Sequence, residues 1–247
     1  MRHKLLIDIG NTISKVGVFE DKKQIFIDYF LNLTSENIQE ILQKYPNISA
    51  ALLCTVAKQD SSIEEMLKKL NTFISWNTWL ENLKWPVTLM YKNPKTLGRD
   101  RIAVASAIRT LYPKENVLCI VLGSCITYNL IESNGCFRAG AIAPGLQMRS
   151  RAMSVFTDAL PVINFEILKK EEEIYSTETA LYSGCIRGIK YELEGYIDWY
   201  QQRYDFLRVV LTGGDLKYFE FSLKNKIFAI PNLVLVGLNE ILDLNEF

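Results

Sequence analysis

Several short stretches combine side chains and backbone in ways that could hold a phosphate or move a proton. Asp8-x-Gly10-Asn11-Thr12 ends one apolar run and forms the turn after it. Glycine there lets backbone amides approach an anion, and Asn or Thr adds donors. The carboxylate of Asp8 could hold Mg²⁺ through water, because Mg²⁺ keeps most of its hydration shell. Lys15 follows within reach of phosphate charge. The same residues also suit an ordinary β-hairpin, and short motifs recur by chance. Gly123-Ser124 sits in a second such turn and could be a second phosphate clamp, although the strand before it, Cys119 to Leu122, carries no acid. Two hairpins facing each other across a cleft would hold a nucleotide's phosphate chain from both sides. Gly98-Arg99-Asp100-Arg101 falls at an expected helix start. Asp100 is a good cap there, but two arginines oppose the helix dipole and point to an anion. In Thr212-Gly213-Gly214-Asp215 the paired glycines would let a flat base lie against backbone, or would simply turn a strand into a helix.

The elements that must position these residues follow a repeated pattern. Lys4 to Ile9 reads as a buried strand, Ser14 to Glu20 as a second with Val16 and Val18 on one face, and Gln24 to Leu31 as a third. A helix is expected from Ser35 to about Lys44, then a strand from Ala50 to Cys54. Ser62-x-x-Glu65 reads as a capping box opening a helix to about Leu70. Another helix is expected from about Asp100 to Leu111. The opening then repeats. Val117 to Leu122, Ile126 to Glu132 and Cys136 to Ile142 read as strands, with Ser133-Asn134-Gly135 a hairpin signal. Helices follow at roughly Gln147 to Phe156, after the Pro144-Gly145 turn, and at Thr177 to Tyr200. Leu207 to Leu211 reads as a strand, and Leu233 to Val236 with Gly237-Leu238-Asn239 as a last strand and helix. Two halves with the same beginning predict a duplicated α/β unit, with the boundary near Pro113 to Asn116. Gly184, Gly188 and Gly195 weaken their helix but suit close packing against another helix or subunit.

Composition narrows the chemistry. Lys plus Arg equals Asp plus Glu, 28 each, so the basic excess of a nucleic-acid footprint is absent. No stretch is apolar for the ~18 residues a membrane helix needs, and Asp8 cuts the first apolar run too short for a signal peptide. A cytoplasmic protein is expected. The five cysteines, Cys54, Cys119, Cys125, Cys136 and Cys185, lack CxxC spacing and read as buried free thiols. The single histidine, His3, lies at the chain start, so a Ser-His-Asp, Cys-His or His-rich metal centre is not expected. Catalysis would run on carboxylates, Lys or Arg, backbone amides and bound metal.

Taken in order, Asp-x-Gly-Asn-Thr, Tyr-x-Asn-Pro at Tyr91 to Pro94, Gly-x-Asp-Arg, the Gly-Ser hairpin, Ile-x-Pro-Gly at Ile142 to Gly145, the Ser-Gly helix and Thr-Gly-Gly-Asp resemble type III pantothenate kinase over nearly the whole chain. The resemblance implies an α/β protein of two duplicated ribonuclease H-like domains, the actin-like ATPase fold of sugar kinases and Hsp70. The lobes are expected at 1–115 and 116–247, with the last helix able to pack back on the first. It also implies a homodimer that phosphorylates pantothenate with ATP, the first step of coenzyme A synthesis, using Mg²⁺ and a monovalent cation, K⁺ or NH₄⁺. Asp8, Gly10, Asn11 and Thr12 match the first phosphate motif, with Lys15 beside it. Gly123 and Ser124 match the second, and Gly213 and Gly214 the adenine side. Tyr91 and Asn93 match the segment lining the pantothenate pocket, and Thr177 a pocket threonine supplied by the partner subunit. Gly98, Asp100 and Arg101 match the motif in which the Asp is the general base and the Arg grips the substrate carboxylate.

Three positions depart from the pattern. Val121 stands where the second hairpin usually has an Asp linked to the monovalent cation, Asn129 where a further Asp is expected, and Ala139-Gly140 where Gly-Gly is usual. Reduced activity and a weak response to K⁺ or NH₄⁺ are therefore expected. The competing class is a non-catalytic regulatory protein on the same fold, like the Bvg accessory factor branch, which Val121 favours and Asp100 with Arg101 opposes. An acid-sugar or polyol kinase is disfavoured by Tyr91 and Thr177.

Overall fold

The computed structural model of the protein describes residues 2–55, 61–76, 82–166, 174–219 and 227–245. The chain divides into two compact units. One comprises Met1–Lys114, Ile131–Ala139 and Asn232–Phe247; the other comprises Glu115–Leu130 and Gly140–Pro231.

The first unit is built on the sheet β3-β2-β1-β4-β5. Strands β1 (His3–Ile9), β2 (Ser14–Glu20) and β3 (Lys23–Phe30) form an antiparallel meander. β4 (Ile48–Thr55) and β5 (Thr72–Trp76) add on in parallel. β1 and β4 are buried almost throughout, which accounts for their continuous apolar runs. Leu5, Ile7, Val16, Val18, Ala51 and Leu53 pack with Ile38 and Ile41 of α1 (Ser35–Lys44) and Ile63 and Leu67 of α2 (Ser61–Leu67). Helices α3 (Arg99–Leu111) and α6 (Leu233–Asn245) also pack on this sheet. A short strand, β6 (Thr88–Leu89), pairs with Cys136 and Phe137.

Two sequence expectations fail in this unit. Ser62 lies inside the first turn of α2 and not at its cap; Thr34 makes a capping box instead, its hydroxyl accepting from Asn37 N while the Asn37 side chain accepts from Thr34 N. Leu233–Val236 is not a strand but the first turn of α6. The run is apolar on every side because α6 is buried against both α3 and the sheet. A Cβ on Gly237 would lie 1.7 Å from Ala103 O, so only glycine permits that crossing. Lys4 pairs with Asp243, and Lys22 bridges Glu240 and Asp243 at 2.8 Å each, fastening α6 to β1 and to the β2–β3 turn.

In the second sheet, β7 (Val117–Leu122), β8 (Cys125–Ile131) and β9 (Cys136–Pro144) repeat the opening meander, and β10 (Arg208–Thr212) and β11 (Ile227–Ala229) add on in parallel beyond β7. The order β9-β8-β7-β10-β11 matches that of the first sheet strand for strand, so the duplication read from the sequence is present in the fold. Leu118, Ile120, Ile126, Tyr128 and Leu130 pack against Cys185, Ile189, Leu193 and Ile197 of α5 (Thr177–Gln201), residues four apart on one helix face. α4 (Leu146–Val155) follows β9. Ser176 and Thr179 form the capping box of α5. The β8–β9 turn closes through Gly135 at φ +89°, with the Asn134 side chain accepting from Cys136 N at 2.9 Å. All five cysteines are free; Cys54, Cys119 and Cys185 are buried, whereas Cys125 and Cys136 are only partly covered.

Candidate active site

In the first unit the chemistry gathers where β1 and β4 end. Asp8 is paired with Lys15 across the hairpin and with Cys54 on the other side. Lys15 Nζ lies 3.7 Å from Asp8 Oδ2. Asp8 is only 6% exposed. Burial pushes its carboxyl up to about 6; Lys15 opposes that rise and the charge of Asp100 adds to it. Asp8 is thus ionised at neutral pH at a cost that a cation would relieve. Gly10, Asn11 and Thr12 form the turn to β2, tight enough that a Cβ on Gly10 would sit 3.0 Å from Ile13 O.

The start of α3 supplies the second carboxylate. Gly98 is the N-cap and Asp100 the second helical residue. A Cβ on Gly98 would lie 2.5 Å from Asp100 Oδ1, so glycine leaves the space into which that carboxylate folds. The two arginines divide. Arg99 Nη2 donates to Thr55 O at 2.6 Å. It joins the start of α3 to the end of β4 and so brings Asp100 near Asp8, a role the sequence did not reveal. Arg101 is buried. The Cys54 thiol is held up by burial and then by Asp8 and Asp100, which keeps it protonated and unreactive. Tyr91 and Asn93 are exposed on the segment leading into α3, where Asn93 O accepts from Thr96 Oγ1 at 2.8 Å.

In the second unit the glycine motifs converge at the carboxyl ends of β7 and β10, where open α/β sheets bind ligands. Gly145 N donates to Ser124 O at 3.1 Å, and a Cβ on Gly145 would lie 2.0 Å from Gly123 O. Gly213 adopts φ +111°, with its Cβ position 2.1 Å from Leu122 O. Gly214 is open, with nothing within 4 Å of a Cβ. The next residue, Asp215, donates its N–H to Leu122 O at 3.1 Å. Burial pushes Asp215 up to about 6, against the charge of Lys217 and the nearby amide of Leu146. Among the described residues after Gly213-Gly214, Leu216–Tyr218 form a 3₁₀ turn.

Val121 is half-buried on β7, paired with Thr212. Asn129 is fully buried, and its Nδ2 donates to Cys119 O, Thr127 O and Thr127 Oγ1 at 3.1–3.2 Å. A carboxylate there would set oxygen against two carbonyl oxygens, so the amide fits where an acid would not. Glu192 of α5 accepts from Tyr128 Oη at 2.8 Å and pairs with Arg149, whose Nε donates to Pro144 O at 2.9 Å. Thr177 is the exposed first residue of α5.

A family model of type III pantothenate kinase matches residues 4–199. The chain belongs to that family. A type III pantothenate kinase of Phocaeicola vulgatus is 38% identical over 98% of both chains, and one of Cytophaga hutchinsonii is 35% identical over 98% of this chain and 99% of its own. Among solved structures, one from Campylobacter jejuni described as of the Baf family of transcriptional activators aligns with TM-score 0.58 at 22% identity over 98% of both chains. Component A of (R)-2-hydroxyglutaryl-CoA dehydratase from Acidaminococcus fermentans aligns with TM-score 0.54 at 16% identity, over 98% of this chain and 96% of its own. At those identities the structures speak for the fold alone, and with the two matching sheets they fit the duplicated actin-like architecture. The family's divalent cation is compatible with the residues present. Among the described residues no three His, Cys, Asp or Glu are grouped to cage a metal, but Mg²⁺ needs only one or two carboxylates beside waters and substrate phosphates. Asp8, buried and burdened by Asp100, would supply one.

Proposed function

We propose that this chain transfers the γ-phosphoryl group of ATP to the hydroxyl of pantothenate, giving 4′-phosphopantothenate at the start of coenzyme A synthesis. The observation that carries the reading is the pairing of a buried Asp8–Lys15 couple with Asp100, held on a helix start fixed to β4 by Arg99. Phosphoryl transfer has a loose transition state, so positioning and charge do most of the work. Bound Mg²⁺ would neutralise phosphate charge beside Asp8. Lys15 and the amides of the 10–12 turn contact phosphate oxygens, as do Gly123 and Ser124, while Gly213 and Gly214 take the adenine side. Asp100 accepts the proton of the substrate hydroxyl as its oxygen attacks phosphorus. Its carboxylate is held over Gly98 and is half-buried, which suits a base that must meet substrate in a fixed direction. Arg101 grips the carboxylate of pantothenate, with Tyr91 and Asn93 lining the pocket.

A homodimer completes this reading, Thr177 being supplied across the interface. It is supported by α5, where Cβ positions at Gly184, Gly188 and Gly195 meet nothing within 4 Å and Tyr191 and Trp199 are exposed. Val121 leaves the monovalent-cation site without a side-chain ligand, so activation by K⁺ or NH₄⁺ is weak. A cytoplasmic location belongs to the same reading, and among the described residues no helix is long and apolar enough to cross a membrane. Mass spectrometry of a reaction with pantothenate, ATP and Mg²⁺ tests it: phosphopantothenate is expected, and its absence at high protein concentration with K⁺ or NH₄⁺ present would turn the assignment toward a non-catalytic regulatory protein.

A further inference from the structure

Arg149 sits where helix physics disfavours it. It is the fourth residue of α4, near the positive end of the helix dipole, where a cation is unfavourable unless something offsets it. Two partners do so. Helix side chains lean back toward the start of their helix, and Arg149 reaches far enough for its Nε to donate to Pro144 O at 2.9 Å, one residue before the N-cap Gly145. Its Nη2 pairs with Glu192 of α5, and both side chains of that ion pair are largely covered. Glu192 is in turn fixed from the sheet: its Oε1 accepts from Tyr128 Oη at 2.8 Å, and Tyr128 is fully buried on β8 with its ring 4.1 Å from that of Tyr196. The guanidinium thus ties the end of β9 to α5 and, through Glu192, to β8. The residue next to that tie meets the second glycine turn. Gly145 N donates to Ser124 O at 3.1 Å, and a Cβ on Gly145 would overlap Gly123 O. Gly145 is held against Gly123-Ser124 backbone to backbone, and Arg149 fixes the carbonyl immediately before it.

We infer that Arg149 is a positioning residue for the phosphate chain of the nucleotide: anchored on Glu192, it holds Pro144-Gly145 against the Gly123-Ser124 turn. The inference deepens the functional reading above and rests on ATP binding at that turn. Arg149 acts through Pro144 O and not by contact with the reacting atoms. Without the guanidinium, Pro144 O loses this donor and the approach of Gly145 to Ser124 O loses its brace. The turn then has more ways to sit, and ATP must order it on binding, which costs affinity. Pantothenate is assigned to Gly98, Asp100 and Arg101, so the effect falls on ATP more than on pantothenate. The brace runs from Tyr128 through Glu192 and Arg149 to Pro144, so loss of either charged member breaks the same link.

The test is calorimetric titration of Mg·ATP into the unmodified protein, Arg149→Ala, Glu192→Ala, the double variant and Arg149→Lys, each well below its melting temperature, with steady-state kinetics alongside. Arg149→Ala should weaken ATP binding about 10-fold, as for loss of a hydrogen bond from a charged group, with the loss on KM for ATP larger than that on kcat or on KM for pantothenate. The double variant should bind ATP about as weakly as Arg149→Ala alone, because one link is broken in both. Arg149→Lys keeps the charge but not the planar fork that serves two acceptors, so it should recover only part of the affinity; it replaces Arg149→Ala as the deciding variant if the alanine protein does not fold. Unchanged ATP affinity in the deciding variant overturns the inference, as do additive losses in the double variant, or a lowered melting temperature with affinity intact. If the unmodified protein binds ATP but yields no phosphopantothenate, the substrate assignment fails and the titration still decides the role of Arg149. If it binds no ATP, both fall.

Discussion

Asp8→Asn should make the protein more stable and catalytically dead. The carboxyl of Asp8 is raised from 3.8 to about 6 in the folded state. That gap corresponds to a penalty of about 3 kcal/mol for keeping Asp8 ionised in the fold. The sign follows from the direction. A raised carboxyl means that the folded protein holds the proton more tightly than the unfolded chain. The penalty is therefore full above pH 6, shrinks as pH falls toward 3.8, and is absent below it. Asparagine is neutral at every pH and removes the penalty, but it leaves Lys15 without its 3.7 Å partner. The attraction of Lys15 lowers the carboxyl and is already contained in that raised value, so a net gain of about 3 kcal/mol is expected at pH 7.5, fading toward pH 4. Urea unfolding of both proteins at pH 7.5, 6 and 4.5 measures it. A variant less stable at pH 7.5, or a stability difference that does not change with pH, would refute the burial argument. Mg²⁺-dependent turnover should vanish in the same variant, because the carboxylate that raises the energy of the empty fold is the one placed to meet the cation.

Asp100→Asn should lose about 10²- to 10⁴-fold in kcat with little change in melting, since it removes the proposed general base from a helix turn capped by Gly98; near-normal turnover would make Asp100 a helix-start acid and nothing more. Gly98→Ala should also lower kcat, because the new methyl would occupy space 2.5 Å from Asp100 Oδ1, and kinetics at matched stability would show whether the carboxylate has been displaced. For the unmodified protein, kcat/KM should fall as pH drops through about 6, where Asp8 takes up a proton; a profile flat to pH 5 contradicts its role at the metal. Val121→Asp should introduce or strengthen dependence on K⁺, read as rate against KCl at constant ionic strength with a melting curve as control, and strong K⁺ activation of the unmodified protein would show that another ligand serves.

The sequence revealed the frame of the fold because its strands are long and apolar and its turns carry glycine at fixed places. The two meanders, and the helices that end at Lys44, Leu111 and Gln201, follow from periodicity alone. It misled where local chemistry is ambiguous. Leu233–Val236 is β-like in composition, yet it is helical because α6 is covered by α3 and the sheet, a fact of packing that no window of sequence contains. Ser62-x-x-Glu65 fits a capping rule that Thr34 with Asn37 and Ser176 with Thr179 satisfy instead, using shorter side chains. The strand Thr72–Trp76 was not anticipated, being short and only partly buried at the edge of its sheet. At the site, Asp8, Lys15 and Asp100 could be picked out by type and spacing. Arg99 could not be separated from Arg101, because what distinguishes them is a carbonyl 44 residues away.

The most direct test of the central claim is ADP release measured with and without pantothenate, on the unmodified protein and on Asp100→Asn, with Mg²⁺ present. Release that rises on adding pantothenate, and falls about 10²-fold or more in the variant, is the result this account predicts. Release that is indifferent to pantothenate, or equal in the two proteins, would contradict it.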